Sequence, residues 1–470
     1  MRDNRNYFVH GRDEQLPLSA EAYAVYAGCI ARFVSYLWGV IALVGAYLAG
    51  LQVFASRQWA GLAVLLFALT PQMLQLSSVF SNDAPTAAFG AILLWQLLWI
   101  VNHRANIPRL ILLGLLLGGA GLVKVNSLLL VAPLGVAVIV EGLAQRRAWL
   151  HIILRGLLVA VIALLVLSPW LWYGWTQYRS PLGLDAHQIF QTVGTPVSSM
   201  GEYLIALIPV FGSYWGRFGG GSVWLPMSTY ALYTGLCILA AIGYVVSRRS
   251  LSRNIYWRRQ GVVLISMCLV FAAGLMYWLF QLSAIRDAIQ GRLAYAAHAA
   301  ICIVITGGIY LLVKRLPRWN AAAKLVITAL SLYAAFFTAP LALVNAYRLP
   351  APLDRSSMPL LSGPTLIYND AIRLLGTRIE QPKFDVQRAW VPLTTCWQIL
   401  QKPPVEAVLA IKLLTAEGQS VGDRTMLFGL GRYPTVAWEP GYQFCDTVDT
   451  ILRGPFEPGR VYDVAVYVLN

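Results

Sequence analysis

Charge is what this 470-residue chain has least of. Only 12% of its residues are Asp, Glu, Lys or Arg, against about 25% in an ordinary soluble domain. Acidic residues are the scarcest: between Ala22 and Val344 they are Asp83, Glu141, Asp185, Glu202 and Asp287. With 58% of all residues hydrophobic, that shortage excludes a soluble enzyme. No Cys/His spacing resembles a zinc site, and no internal repeat is visible. Met1 to Ser19 is polar, carries Asp3, Asp13 and Glu14, and lacks the apolar core of a signal peptide.

What is abundant is apolar sequence punctuated by cations. The net charge of +15, from 36 Lys and Arg against 21 Asp and Glu, would suit a nucleic-acid partner, but its placement argues against one. The cations fall in short clusters between apolar runs: Arg57; Arg104 and Arg109; Arg146 and Arg147; Arg248 to Arg259; Lys314, Arg315, Arg318 and Lys324. Short cytoplasmic loops of membrane proteins collect Lys and Arg in this way, and no DNA-binding motif accompanies them.

At ~20 residues per crossing, the runs predict about ten membrane helices. They lie near 29–54, 59–80, 86–102, 109–122, 125–142, 150–172, 228–247, 260–283, 293–313 and 322–345. The pair within 109–142 is short for two crossings; it reads as two short helices with a tip at Lys124 to Ser127, or else as one tilted span. Two short helices keep every basic cluster on one side and put both chain ends outside. An outside N-terminus with neither leader nor span before it points to a helix upstream of Met1. The stretch from about Tyr173 to Met227, apolar and aromatic with few charges, predicts a helix lying at the interface.

From about Gly363 short apolar runs alternate with turn signals. Val386 to Leu400, Val405 to Leu414, Met426 to Phe428, Phe444 to Leu452 and Val461 to Leu469 read as strands, and such spacing predicts a β-sandwich outside the membrane. The expected organisation is thus an outer juxtamembrane segment (1–28), a membrane domain (29–345), a linker (346–362) and an extracytoplasmic all-β domain (363–470). Cys29, Cys237, Cys268 and Cys302 lie in apolar spans as small buried hydrophobes. Cys396 and Cys445 are the two in the tail, free to pair in an oxidising compartment.

Ionisable residues at membrane depth are functional candidates because burying them is costly. Asp83, in Ser81-Asn82-Asp83-Ala84-Pro85, is the foremost, and equally reads as the start of a helix. Lys124 is a lone cation at a helical tip, or a snorkelling lysine. Arg292 opens the ninth span on the side where cations are rare, which suits an anionic partner. Arg217, between Trp215 and Phe218, is either a second such cation or an interfacial anchor. Glu14, with Asp13 and His10, precedes the first span and also reads as a solvated segment. Asp287 suits an ion pair with Arg286 or Arg292; Glu141 and His298 read as structural. Together these place carboxylates and cations on one membrane face. A carboxylate can take a proton from an acceptor hydroxyl, and fixed cations can offset charge on a departing phosphate. That pairing suits sugar transfer from a polyprenyl-phosphate donor.

The sequence resembles the bacterial GT-C-fold membrane glycosyltransferases, which include protein mannosyltransferases and aminoarabinose transferases, and in particular a branch with an added outer β-sandwich. The resemblance rests on Asn6 to His10 through Glu14 and Pro17, Arg32 to Ser35, Ser81-Asn82-Asp83, Gly114 to Lys124, Ser213 to Gly219 and Gln290-Gly291-Arg292. In the tail it rests on Cys396-Trp397-Gln398 and on Tyr433-Pro434-Thr435 through Trp438 to Gly441. It implies an inverting transfer from a lipid-linked sugar to a glycan, lipid or protein acceptor, at the outer face of the cytoplasmic membrane. The family's catalytic carboxylate sits in the first outer loop; Asp13 and Glu14 match only the end of that loop. Asp83 matches a second acidic position, and Lys124 and Arg292 match cations toward the donor phosphate, with Arg217, Asn82 and His10 as further substrate contacts. Some members of the fold use a divalent metal and others none. A transporter or flippase of lipid-linked saccharides, or an inactive binding scaffold, is the alternative.

Overall fold

The computed structural model describes residues 20–182, 199–218, 223–281, 290–347, 361–384, 389–403, 407–428, 435, 438–452 and 462–469. His10, Asp13, Glu14 and Asp287 lie outside them.

The ten expected apolar runs are helical over most of their described residues. Helix α1 (Ala20–Phe54) leads into α2 (Arg57–Ala68) and α3 (Pro71–Ser78), then α4 (Asp83–Ile100) and α5 (Ile107–Val123). A 3₁₀ turn (Val125–Leu130) continues into α6 (Val131–Ala144), and α7 (Trp149–Tyr178) follows. After α8 (Met200–Trp215) and a two-stranded ribbon, β1 (Arg217–Phe218) with β2 (Val223–Trp224), come α9 (Met227–Arg253) and α10 (Ile255–Gln281). A second 3₁₀ segment (Gly291–Ala297) runs into α11 (His298–Arg315). The last apolar run is α12 (Asn320–Leu332), a π-turn (Tyr333–Thr338) and α13 (Ala339–Tyr347).

Among the described residues, eight helical stretches are long and apolar enough to cross a membrane, and up to nine if the bent pair α2–α3 is one span. The expected second span is therefore not straight: α2 and α3 meet at 65°. Pro71 at the first position of α3 explains the break, since proline lacks the N–H and clashes with the turn before it. Helix α5, at 17 residues, is shorter than a full crossing. Its start is set by Asn106, whose side chain accepts the Arg109 backbone N–H at 3.2 Å, and by Pro108 just inside.

Small residues set the closeness of the bundle. A Cβ on Gly90 of α4 would fall 1.9 Å from the carbonyl oxygen of Ala296, and one on Gly243 of α9 would fall 1.9 Å from that of Gly308 in α11. Backbones approach where glycine leaves room, as in other membrane bundles.

The tail is all β. Strands β3 (Leu366–Tyr368), β4 (Ile372–Ile379), β5 (Lys383–Phe384), β6 (Ala389–Ile399), β7 (Val408–Leu414), β8 (Ser420–Leu427), β9 (Gln443–Leu452) and β10 (Asp463–Leu469) form one antiparallel sheet. Its order is β10-β7-β8-β9-β6-β4-β3, with β5 also on β6. The β8–β9 pairing is short, Gly422 to Leu452 and Asp423 to Ile451, so the sheet folds there into two layers. Trp397, Phe428, Trp438 and Phe444 fill the space between them. The Tyr368 hydroxyl donates to the Val466 carbonyl at 3.1 Å, closing the two ends of the strand order on each other. Burial pushes the pKa of that hydroxyl up. This is the expected sandwich, with β3 to β5 added before the first expected strand and β8 longer than expected. Asn369 and Asp370 turn the β3–β4 hairpin with φ of 48° and 53°, which short polar side chains tolerate. Cys396 and Cys445, paired in register on β6 and β9, form a disulfide.

Candidate functional site

Asp83 is the first residue of α4, and its carboxylate is almost wholly buried, 3% exposed. Asn82 takes the cap position without a side-chain cap bond, while its carbonyl accepts the Thr86 hydroxyl at 2.7 Å. Ser81 shapes the approach. Its Oγ accepts the Asp83 backbone N–H at 3.0 Å and lies 3.2 Å from Oδ2, to which it donates. The Ser81 N–H in turn reaches Ser35 of α1 at 3.5 Å.

Two cations meet this carboxylate. Lys124 Nζ donates to Oδ1, and Arg292 NH1 stands 3.8 Å from Oδ2. The reading of Asp83 as a helix start and its reading as a partner for cations both describe it: the backbone begins α4, the side chain binds Lys124 and Arg292. Lys124 occupies an extended residue, φ −159° and ψ 126°, at the break between α5 and the 3₁₀ turn. That break is the tip expected between two short helices. Arg292 lies in the 3₁₀ segment before α11, with its side chain 39% exposed. The two cations therefore present one buried carboxylate and an open side at the same time.

Side chains that single-residue reasoning passed over hold this arrangement. Asn126 Nδ2 donates to the Leu293 carbonyl at 2.6 Å, tying the Lys124 tip to the Arg292 segment. The Gly291 N–H donates to Ser213 Oγ at 2.8 Å, and the Tyr295 hydroxyl to the Tyr214 carbonyl at 2.8 Å. His298 is fully buried, with Nδ1 2.7 Å from the Tyr214 hydroxyl and Nε2 3.3 Å from the Phe67 carbonyl. The neutral tautomer protonated on Nε2 satisfies both. Its signal in the sequence was its type alone: a histidine inside an apolar span needs partners.

Arg217 belongs to a different contact. Its backbone N–H donates to Gln72 Oε1 at 2.9 Å, and its guanidinium carbon lies 4.4 Å from the Trp224 ring centre. Gln72 is the near side of the α2–α3 bend, so Arg217 fixes the β1–β2 ribbon to α3. Glu141, expected to be structural, is buried in α6 and pairs with Arg155 at 2.6 Å. Among the described residues no group of three or more His, Cys, Asp or Glu converges as metal ligands would.

Position along the helices separates these two clusters. Asp83 begins α4, whose far end leads to Arg104; Lys124 ends α5, whose near end carries Arg109. Over the 18 residues of α4, at 1.5 Å each, the two ends are about 27 Å apart. The Asp83 cluster is thus at the opposite end of the α4–α5 pair from those arginines.

Three comparisons bear on the chain. No curated protein sequence matches it. The solved structures that the chain matches include the following two. ArnT from Cupriavidus metallidurans bound to undecaprenyl phosphate aligns at 16% identity and a TM-score of 0.41, over 68% of this chain and 52% of that one. An Archaeoglobus fulgidus oligosaccharyltransferase in complex with zinc and sulfate aligns at 15% identity and a TM-score of 0.34, over 67% of this chain and 40% of that one. The chain thus spans about half the length of the ArnT it matches. Residues 27–173, which run from α1 into α7 and include Asp83 and Lys124, match the family model of dolichyl-phosphate-mannose-protein mannosyltransferase, and through that segment the chain is similar to the GT-C-fold membrane glycosyltransferases.

Proposed function

We propose that this protein transfers a sugar from a polyprenyl-phosphate-linked donor to an acceptor hydroxyl at the outer face of the cytoplasmic membrane. The observation that carries the reading is the buried Asp83 carboxylate held between Lys124 and Arg292. It stands at the end of α4 and α5 away from the arginine clusters, which the positive-inside rule assigns to the cytoplasm. The family match over 27–173 supports the same donor class, a sugar on a lipid phosphate.

The reaction is a displacement at the anomeric carbon. The acceptor oxygen forms the new bond to that carbon as the carbon–oxygen bond to the lipid phosphate breaks, and the bonding pair leaves with the phosphate. Lys124 and Arg292 offset the charge that develops there. A carboxylate takes the acceptor proton. Asp83 is in position to do so once the donor phosphate draws Lys124 and Arg292 toward itself. Asp13 or Glu14 is the alternative base in this scheme, with His10 and Asn82 as substrate contacts, while Arg217, packed on Trp224, holds the β1–β2 ribbon.

The test is release of polyprenyl phosphate by the purified protein in lipid, from a panel of polyprenyl-phosphate sugars with acceptors supplied. Asp83→Asn is expected to lower release by about 10²–10⁴-fold with an unchanged elution profile, and Glu14→Gln to lower it as well. Release that persists in Asp83→Asn, or no release from any donor, overturns the reading.

A further inference from the structure

At the end of the α4–α5 pair opposite Asp83, two arginines meet one carboxylate. Glu141 Oε2 accepts from Arg155 NH1 at 2.6 Å, while its Oε1 accepts from the Ala105 N–H at 3.2 Å and lies 3.5 Å from Arg147 NH2. Arg155 also donates to the Ala105 carbonyl, and Arg104 Nε to Gln145 Oε1 at 2.9 Å. These bonds bring the ends of α4 and α6 and the start of α7 to one spot. Arg109 joins from α5, four residues beyond Ala105. Its guanidinium carbon lies 3.3 Å from the ring centre of Trp99, which stacks on His103.

The charges at this spot do not balance. Arg147 and Arg155 share the single carboxylate of Glu141, two positive charges against one negative, and Arg109 stands over Trp99 nearby in the chain fold. Nor are the donors all satisfied: Arg109 NH1 and Arg147 Nε are screened from solvent and have no hydrogen-bond partner. Leaving charged donors unpaired in such a place is costly, and an anionic oxygen that reached either one would relieve that cost. The flanking surface is apolar at the same level. Ile107 is 65% exposed, Trp149 60%, Leu150 64% and Ile153 62%, so the surface beside the arginines is apolar.

We propose that the starts of α5 and α7 form a site for the phosphodiester headgroup of an anionic phospholipid, held by Arg109 and Arg147. The acyl chains lie along Ile107, Trp149, Leu150 and Ile153. Arg155 is neutralised by Glu141 and serves to hold Arg147 and the α4 end in place. A free phosphate ion would meet the same nitrogens but leave the apolar flank uncovered, so the lipid is the occupant the surface favours. Basic pockets between helices on the cytoplasmic side bind anionic headgroups by this physics. The site is independent of the transfer reaction.

The experiment measures association of spin-labelled phosphatidylglycerol relative to phosphatidylcholine with the full chain in bilayers. Arg109→Gln and Arg147→Gln are each expected to lower the phosphatidylglycerol preference by about fivefold, the value of one arginine near a charged lipid surface, and the double variant by more. Arg253→Gln, which removes an exposed charge from α9 elsewhere on the same membrane face, is expected to leave it unchanged. Arg109→Lys, which keeps the charge, separates loss of the site from loss of fold. Equal losses in Arg253→Gln would reduce the effect to diffuse surface charge, and an unchanged preference in the double variant would remove the site. Displacement of the lipid by millimolar inorganic phosphate would make it an ion site instead. Each of these outcomes overturns the proposal.

Discussion

Asp83 shows how one residue can satisfy two demands that look like alternatives in a sequence. Its backbone starts α4, and its carboxylate is left over for Lys124 and Arg292, because Asn82 holds the cap position and Ser81 turns its hydroxyl onto Oδ2. The energetic consequence is coupling. Removing one member of a buried pair strands the other, whereas removing both does not. Asp83→Asn and Lys124→Gln should therefore be less destabilising together than the sum of the two alone, by about 0.5–3 kcal/mol. A double-mutant cycle on detergent-induced unfolding reads this directly, and additive effects would mean that the pair contributes nothing to the fold.

At the scale of elements, the site depends on a segment that is not an α-helix at all. The 3₁₀ turn Gly291–Ala297 carries Arg292 and is wedged between α4 and α8. A side chain on Gly90 would meet the Ala296 backbone, and one on Gly291 would come within 2.3 Å of the Val210 carbonyl. Adding one methyl at Gly90 must move the turn, since a backbone carbonyl cannot swing aside as a side chain can. Gly90→Ala is expected to cost about 1–3 kcal/mol through overpacking and to lower activity by drawing Arg292 from Asp83. Gly61→Ala in α2, where no atom lies within 4 Å of the new Cβ, is the matched control. It should instead gain about 0.5–1 kcal/mol from helix propensity. Unfolding midpoints of the two variants decide the matter, and equal shifts would show that the close contact is not a constraint.

On the scale of the whole molecule, the chain has two chemically different ends. Arginine clusters close one end of the α4–α5 pair, and a carboxylate with two cations closes the other. The orientation proposed above puts the β-domain outside the membrane with the Asp83 end. A cysteine at Lys402, exposed next to β6, should react with a membrane-impermeant maleimide in intact cells. A cysteine at Arg253, at the exposed end of α9, should react only after the membrane is opened. Because Cys29 is exposed, both belong in a Cys29→Ser background. The reverse pattern would invert the topology and move the proposed chemistry to the cytoplasm.

The sequence by itself marked the apolar runs that become helices, because an apolar run of some twenty residues with few charges has few stable environments besides hydrocarbon. It also determined the β character of the tail, through short runs cut by glycine and proline, and it singled out Asp83, Lys124 and Arg292 as charges in costly places. Tertiary structure alone decided that these three belong together. They are 41 residues apart for Asp83 and Lys124 and still further for Arg292, and no local pattern encodes a meeting between the start of α4, the end of α5 and a turn before α11. It likewise decided that Arg217 goes to Trp224 and Gln72, that the second apolar run bends at Pro71, and that Asn126 and His298 lock the segments around the site. Those outcomes depend on which backbones can approach closely and which buried polar atoms find partners, and both are properties of packed helices rather than of the residues taken in order.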